Sequence, residues 1–213
     1  MQPTMEEVMQ YSKDYNIVPI QEEIYADVVT PISLLRKIAA TKKNYYLLES
    51  IEGGEKWGRY SFLGYDPIMR VTCQEKQVTI QKGEIKECIH TEDAFSVIRE
   101  ILQDYKAPKV EGMPPFAGGF VGYFAYAMIA HAEPKLSIQR DEFADYDLML
   151  FDKVIAYDHL KQKIVVVANV RVEDHVQENY AKAKADIKGI IALIRDNTPI
   201  PDEPVYDKVN FKC

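Results

Sequence analysis

Apolar and polar positions along the 213-residue chain change period several times, and each change marks an element. Residues 4–15 carry a short helical pattern, and residues 16–26 read as extended, with Ile17, Val18, Pro19 and Ile20 in succession. Thr30 and Pro31 form a helix start, because Thr30 can accept a hydrogen bond from an unpaired first-turn amide and Pro31 has no N–H to lose there. Leu34, Leu35 and Ile38 then share one face, which carries this helix to about Thr41. Tyr45, Tyr46, Leu47 and Leu48 have the bulk of a buried strand that ends in Glu49 and Ser50, and Gly53 and Gly54 mark a loop. Residues 59–64 predict a second strand, stopped by Asp66 and Pro67.

Met69, Val71 and Cys73 alternate with polar residues, as do Val78 and Ile80. With a turn at Lys82 and Gly83, this predicts a half-wetted antiparallel meander. A helix capped by Thr91 follows, with Phe95, Ile98, Leu102 and Tyr105 on one face, and residues 108–115 form a loop. Residues 148–157 and 163–170 are β-rich runs joined by residues 158–162, which predicts one long hairpin. Val176, Tyr180, Ala183, Ile187, Ile190 and Ile194 define a last amphipathic helix, in which Gly189 costs about 1 kcal/mol relative to Ala. Three prolines between residues 198 and 204 make a linker. The expected organisation is a domain over residues 1–197, then a linker over residues 198–213 that leads to a further, missing portion. Hairpins separated by helices predict an α+β fold of largely antiparallel sheets flanked by helices.

Composition narrows the function classes. Against 26 Lys and Arg stand 33 Asp and Glu, a net charge of −7, which is the wrong sign for a nucleic-acid module. Cys73, Cys88 and Cys213 have neither disulfide-framework nor metal-site spacing. They are expected to be reduced thiols of a cytoplasmic protein, two packed and one at the chain end. No apolar run is long enough to cross a bilayer, and the first thirty residues carry too many charges for a secretory signal, so a soluble protein is expected.

The main candidate for chemistry is the stretch from Tyr46 to Ser61. A strand ending in Glu49 and Ser50, beside a glycine loop and a strand bearing Arg59 and Ser61, can offer complementary groups to a small zwitterion, while Leu and Tyr side chains enclose an apolar ring. Glu49 or Arg59 can balance the ligand's charge. The commoner outcome of such spacing is a solvated Glu49–Arg59 ion pair at an exposed turn. Gly118, Gly119 and Gly122 lack the GxGxxG or P-loop pattern, so they read as strand glycines crowded by another backbone or a ring. His90, His131, His159 and His175 show no ligand spacing and read as solvated surface, and no Ser/His/Asp or Cys/His catalytic set emerges.

Residues 47–67, Leu-Leu-Glu-Ser-Ile-Glu-Gly-Gly-Glu-Lys-Trp-Gly-Arg-Tyr-Ser-Phe-Leu-Gly-Tyr-Asp-Pro, resemble the first motif of the anthranilate synthase component I family. Pro115-Phe116, Gly118-Gly119 and Gly122-Tyr123 resemble its second block, and residues 147–170, with Phe151-Asp152 and Asp158-His159, its third. The resemblance implies the amino-terminal part of a two-sheet α+β fold. It implies that the full-length enzyme converts chorismate to anthranilate and pyruvate with Mg2+, using ammonia delivered from glutamine by an amidotransferase subunit. The family's reaction is the committed step of tryptophan synthesis and is inhibited by tryptophan.

Chorismate and metal residues of the family lie in a carboxy-terminal portion that this sequence lacks, so the resemblance implies no catalytic or metal residue here and an inactive fragment. It does imply one half of the inhibitor site: Ser50 first, then Glu49 and Leu48, with Lys56, Tyr60 and Ser61 after them. The family's other half, including a Pro-Tyr-Met segment, comes from the absent portion. Two other readings stay open: an aminodeoxychorismate synthase component I of the folate pathway, and a stand-alone small-molecule-binding module. A nucleotide-binding protein using the glycine block would show saturable ATP or NAD binding, and none is expected.

Overall fold

A computed structural model describes residues 1–27, 29–49, 58–129 and 143–199. Its elements are α1 (Met5–Tyr11), β1 (Ile17–Tyr25), α2 (Pro31–Ala39), β2 (Tyr45–Glu49), β3 (Tyr60–Tyr65), β4 (Met69–Gln74), β5 (Gln77–Lys82) and β6 (Ile85–His90). After them come α3 (Ala94–Gln103), β7 (Gly119–Phe124), a 3-10 turn (Tyr126–Met128), β8 (Tyr146–Phe151), β9 (Lys153–Asp158), β10 (Lys163–Arg171) and α4 (Val176–Arg195). Two five-stranded sheets result, in the orders β1-β10-β9-β3-β2 and β6-β5-β4-β8-β7, with every neighbouring pair antiparallel. The expected α+β class is the observed one.

Local chemistry sets the helix starts. Thr4 and Glu7 close a capping box on α1, and Thr30 and Ser33 do the same on α2, whose first residue is Pro31. Helix α3 starts later than its pattern predicts. Asp93, not Thr91, receives the first-turn amides, those of Phe95 and Ser96, while the Thr91 hydroxyl takes the Asp93 amide. The Lys37 ammonium donates to the carbonyls of Ile194 and Asp196, so α2 supplies a cation to the end of α4.

The first sheet buries one face under the helices, where Val18, Ile20, Leu63, Ile155, Ile164 and Val166 meet Val8, Leu34, Ile38, Ile187, Ile190 and Ile194. The second sheet packs Val71, Cys73, Val78, Leu148 and Leu150 under Ala94, Val97 and Ile98 of α3. Leu102, expected on that buried face, is largely exposed, and Cys88, expected to be packed, lies exposed on edge strand β6. Cys213 lies outside the described residues.

The predicted long hairpin is divided. The run over residues 148–157 breaks at Asp152, giving β8 to the second sheet and β9 to the first, so that only β9 and β10 form the hairpin. Asn169 holds the crossing point: its side-chain amide donates to the carbonyls of Asp152 and Ala117, and its backbone amide to Asp152. The glycine block behaves as read. A Cβ on Gly122 would lie 1.9 Å from the Asp147 carbonyl oxygen, and one on Gly118 would lie 2.6 Å from the Asn169 side-chain nitrogen.

Where β9 turns into β10, one carboxylate organises the chain. Asp158 Oδ1 accepts from the amides of Leu160 (3.1 Å) and Lys161 (3.0 Å), closing the turn. The same carboxylate takes Arg59 in bidentate fashion, Nε at 3.1 Å and Nη2 at 2.6 Å. Burial pushes the Asp158 carboxyl upward, but the Arg59 hydrogen bond and charge and the two turn amides outweigh it and hold it below the usual range.

These contacts predict the effects of three substitutions. Gly122→Ala forces a methyl group into backbone and should lower unfolding stability in urea by about 2 kcal/mol or more. Gly189→Ala has open space around it and should raise stability by up to about 1 kcal/mol. Asp158→Asn should cost roughly 2 kcal/mol at neutral pH, less than a fully buried pair because Arg59 can rehydrate. A depressed carboxyl stabilises above its unfolded pKa, so the gap between parent and Asp158→Asn should be constant at neutral pH and close as pH falls below about 4.

Candidate functional site

The candidate residues cluster at one end of the first sheet, where β2 is the edge strand. Register sets Glu49 opposite Ser61, Leu48 opposite Phe62, Leu47 opposite Leu63 and Tyr46 opposite Gly64. Residues that face each other directly share a side of the sheet, so the candidates divide. Glu49 and Ser61 lie on the face that continues through Leu47, Leu63 and Tyr157 into the helix-covered core. Leu48 and Tyr60 lie on the other face, with Tyr46, Phe62 and Phe116. Ser50 and Lys56 fall outside the described residues.

The expected buried strand is only partly so. Tyr46 is 8% exposed, whereas Leu48 is 46% exposed because the edge has no neighbour beyond it among the described residues. Tyr46 anchors the strand: its ring lies where a Gly64 side chain would be and packs edge-on against Phe151 and Phe116. Burial pushes its phenol up, and its hydroxyl has no hydrogen-bond partner among the described residues.

On the helix-covered face, Ser61 is 0% exposed. Its hydroxyl donates to Glu49 Oε1 at 3.0 Å, and its oxygen lies 2.7 Å from His159 Nε2. A carboxylate only accepts, so the single Ser61 hydrogen points to Glu49 and Nε2 must be the donor to Ser61. The order is imidazole, hydroxyl, carboxylate. A serine nucleophile needs the opposite, an imidazole that accepts its proton and a carboxylate behind that imidazole. The buried position and the hydrogen direction therefore make this a structural relay.

Two expectations are corrected here. Arg59 does not pair with Glu49; it is taken by Asp158, and its guanidinium stacks over the Tyr60 ring at 4.8 Å. His159 is not a solvated surface histidine: it is half-buried, bonded to Ser61, and its ring lies 4.7 Å from that of Tyr157. Sequence reasoning missed this contact because 98 residues separate the partners, and no spacing rule links a turn histidine to a distant strand serine. It also missed the exposed aromatic group Tyr123, Phe124, Tyr126 and Phe143 beside edge strand β7.

On the other face, Tyr60 and Phe62 stack with centroids 5.7 Å apart, and Phe116 packs edge-on against Phe62. Burial is the main cause of a raised Tyr60 phenol, and the Asp158 charge adds to it. The face is thus apolar and aromatic, with Leu48 exposed at its rim. Among the described residues no group of three or more His, Cys, Asp or Glu side chains is placed to hold a metal ion, and the acids at this end are engaged by Arg59 and Ser61. No helix among them is long and apolar enough to cross a membrane.

The chain is 37% identical over 196 residues to anthranilate synthase component 1 of Acetivibrio thermocellus, an alignment that covers 91% of this chain and 40% of that protein. It is 34% identical over 197 residues to the protein of the same name from Aquifex aeolicus, again covering 91% of this chain and 40% of the relative. The chain thus spans about 40% of the length of the curated relatives it matches. The crystal structure of anthranilate synthase component I from Streptococcus pneumoniae superposes with a TM-score of 0.54 at 23% identity, over 84% of this chain and 38% of that one, and so shares the fold. The model of the chorismate binding enzyme family matches residues 43–211, most of the sequence, and the chain belongs to that family.

Proposed function

We propose that this chain is the amino-terminal, tryptophan-sensing part of an anthranilate synthase component I. The observation that carries the reading is the identity of 31–37% to a series of curated proteins named anthranilate synthase component 1, along about nine-tenths of this chain. In full length the enzyme converts chorismate and glutamine-derived ammonia to anthranilate and pyruvate for tryptophan biosynthesis, and an amidotransferase subunit supplies the ammonia. Mg2+ serves that reaction through ligands outside this chain, and the chain alone is inactive.

The inhibitor site lies at the open end of β2. Ser50 bonds the polar part of tryptophan, Glu49 receives its ammonium, and Leu48 contacts its indole, with Lys56 and Tyr60 at the margin. Two features support this arrangement: Leu48 and Glu49 are exposed at a sheet edge, and Arg59, the nearby cation, is already occupied by Asp158. Ser61, fully buried, acts behind Glu49 and does not touch the ligand.

Regulation works by population shift. Tryptophan at the boundary between this part and the rest of the enzyme favours a less active arrangement to the extent that it binds that arrangement more tightly.

The test is a pair of assays on the full-length protein. Fluorescent anthranilate should appear from chorismate and ammonia; aminodeoxychorismate as the product would move the protein to the folate branch. Ser50→Leu removes a hydrogen-bonding group and fills space, so it should raise the tryptophan concentration for half-inhibition on the order of tenfold or more while uninhibited turnover changes little. Parallel loss of turnover and inhibition would contradict a regulatory site.

A further inference from the structure

Glu49 is exposed at the end of an edge strand, where a free carboxylate samples many rotamers, yet one of its oxygens is held by a hydroxyl with no solvent access. That hydroxyl is itself constrained. A serine O–H rotates to suit its surroundings unless its lone pairs are engaged, and the Ser61 oxygen lies 2.7 Å from His159 Nε2. An N–H donated there leaves the Ser61 hydrogen directed to Glu49 Oε1. Among the described residues the second carboxylate oxygen has no hydrogen-bond partner, and no Lys or Arg pairs with Glu49.

His159 is fixed from two other sides. Its backbone amide donates to the Arg59 carbonyl at 2.8 Å, and its ring lies against Tyr157. It also directly follows Asp158, whose carboxylate closes the turn and grips Arg59. The donor nitrogen is thus set by a turn that Asp158 closes, and its orientation is relayed through a buried hydroxyl to an exposed acid. Cooperative hydrogen-bond chains of this kind strengthen where water is excluded.

We propose that His159 is a positioning residue: acting through Ser61, it holds the Glu49 carboxylate at the rim of β2 in the orientation that receives the ammonium group of an amino-acid inhibitor. This rests on the tryptophan-sensing reading and adds a residue to it. His159 does not contact the ligand. It lowers the conformational cost of binding by ordering Glu49 beforehand.

Two measurements test it. In the full-length enzyme, His159→Phe keeps a ring against Tyr157 but loses the donor, and His159→Gln restores an N–H near the Nε2 position. His159→Phe should raise the tryptophan inhibition constant about tenfold, with kcat and the KM for chorismate within about twofold of the parent. His159→Gln should return the inhibition constant to within about threefold. Inhibition of His159→Phe equal to that of the parent, or equal loss in both variants, overturns the proposal.

The second measurement does not depend on tryptophan. Nitrogen-15 spectra of histidine-labelled chain should show a protonated, hydrogen-bonded Nε2 on His159 that loses its protection in Ser61→Ala. An unprotonated Nε2 overturns the relay even if the Phe variant fails to fold. A parent enzyme that tryptophan does not inhibit overturns the sensing role, and a protected Nε2 in the same protein then locates the failure in the regulatory reading and not in the hydrogen-bond chain.

Discussion

A single buried carboxylate holds together the part of this structure where function is expected. Asp158, 2% exposed, closes the β9–β10 turn with two backbone amides and grips Arg59 at the start of β3. The cost of burying that charge is offset by four hydrogen bonds, three to Oδ1 and one to Oδ2. Once Arg59 is fixed, β3 can pair with β9 in just one register, Tyr60 opposite Asp158 and Ser61 opposite Tyr157. A slip by one residue would exchange the two faces of β3 and send Ser61 away from His159. The register of β2 follows, with Glu49 opposite Ser61.

This hierarchy explains how an edge strand can carry a defined site. The described part of β2 pairs on one side only, and its exposed residues have little packing to order them. Order reaches it through Tyr46, whose ring fills the space above Gly64, and through the Ser61 hydroxyl that restrains Glu49. Two chemically different surfaces result at the same end of the sheet: an acidic rim on the helix-covered side, and an aromatic side formed by Tyr60, Phe62 and Phe116 with Leu48 at its margin. A zwitterion with an aromatic side chain has needs that match both, and Ser50, the residue after Glu49, is the proposed meeting point. The chain spans about 40% of the length of its curated relatives.

Much of the fold was legible because it is written in local terms. The helix start at Thr30 and Pro31, the alternation of Met69, Val71 and Cys73, and the period of α4 each follow from neighbours within four residues. The errors share the opposite cause. Residues 148–157 look like one strand because both of its parts are apolar; the break at Asp152 is made by Asn169, which comes later in the chain. Thr91 and Asp93 are both capping residues, and the choice between them rests on where α3 meets the second sheet. Cys88 and Leu102 are exposed because of where their elements sit. The pattern over residues 45–64 predicted both β2 and β3, whereas Asp158 and His159, which bond Arg59 and Ser61, come from a turn about 100 residues away that no local pattern connects to them.

Hydrogen–deuterium exchange of the full-length enzyme, with and without tryptophan, tests the central claim most directly. If the end of β2, ordered from Asp158 through β3, forms a wall of the inhibitor site, tryptophan should slow exchange at residues 47–49 and 59–62 and in the turn at residues 159–161, and leave the β5–β6 hairpin unchanged. Slowing confined to the second sheet, with β2 and the Asp158 turn exchanging as in the free enzyme, would contradict the account.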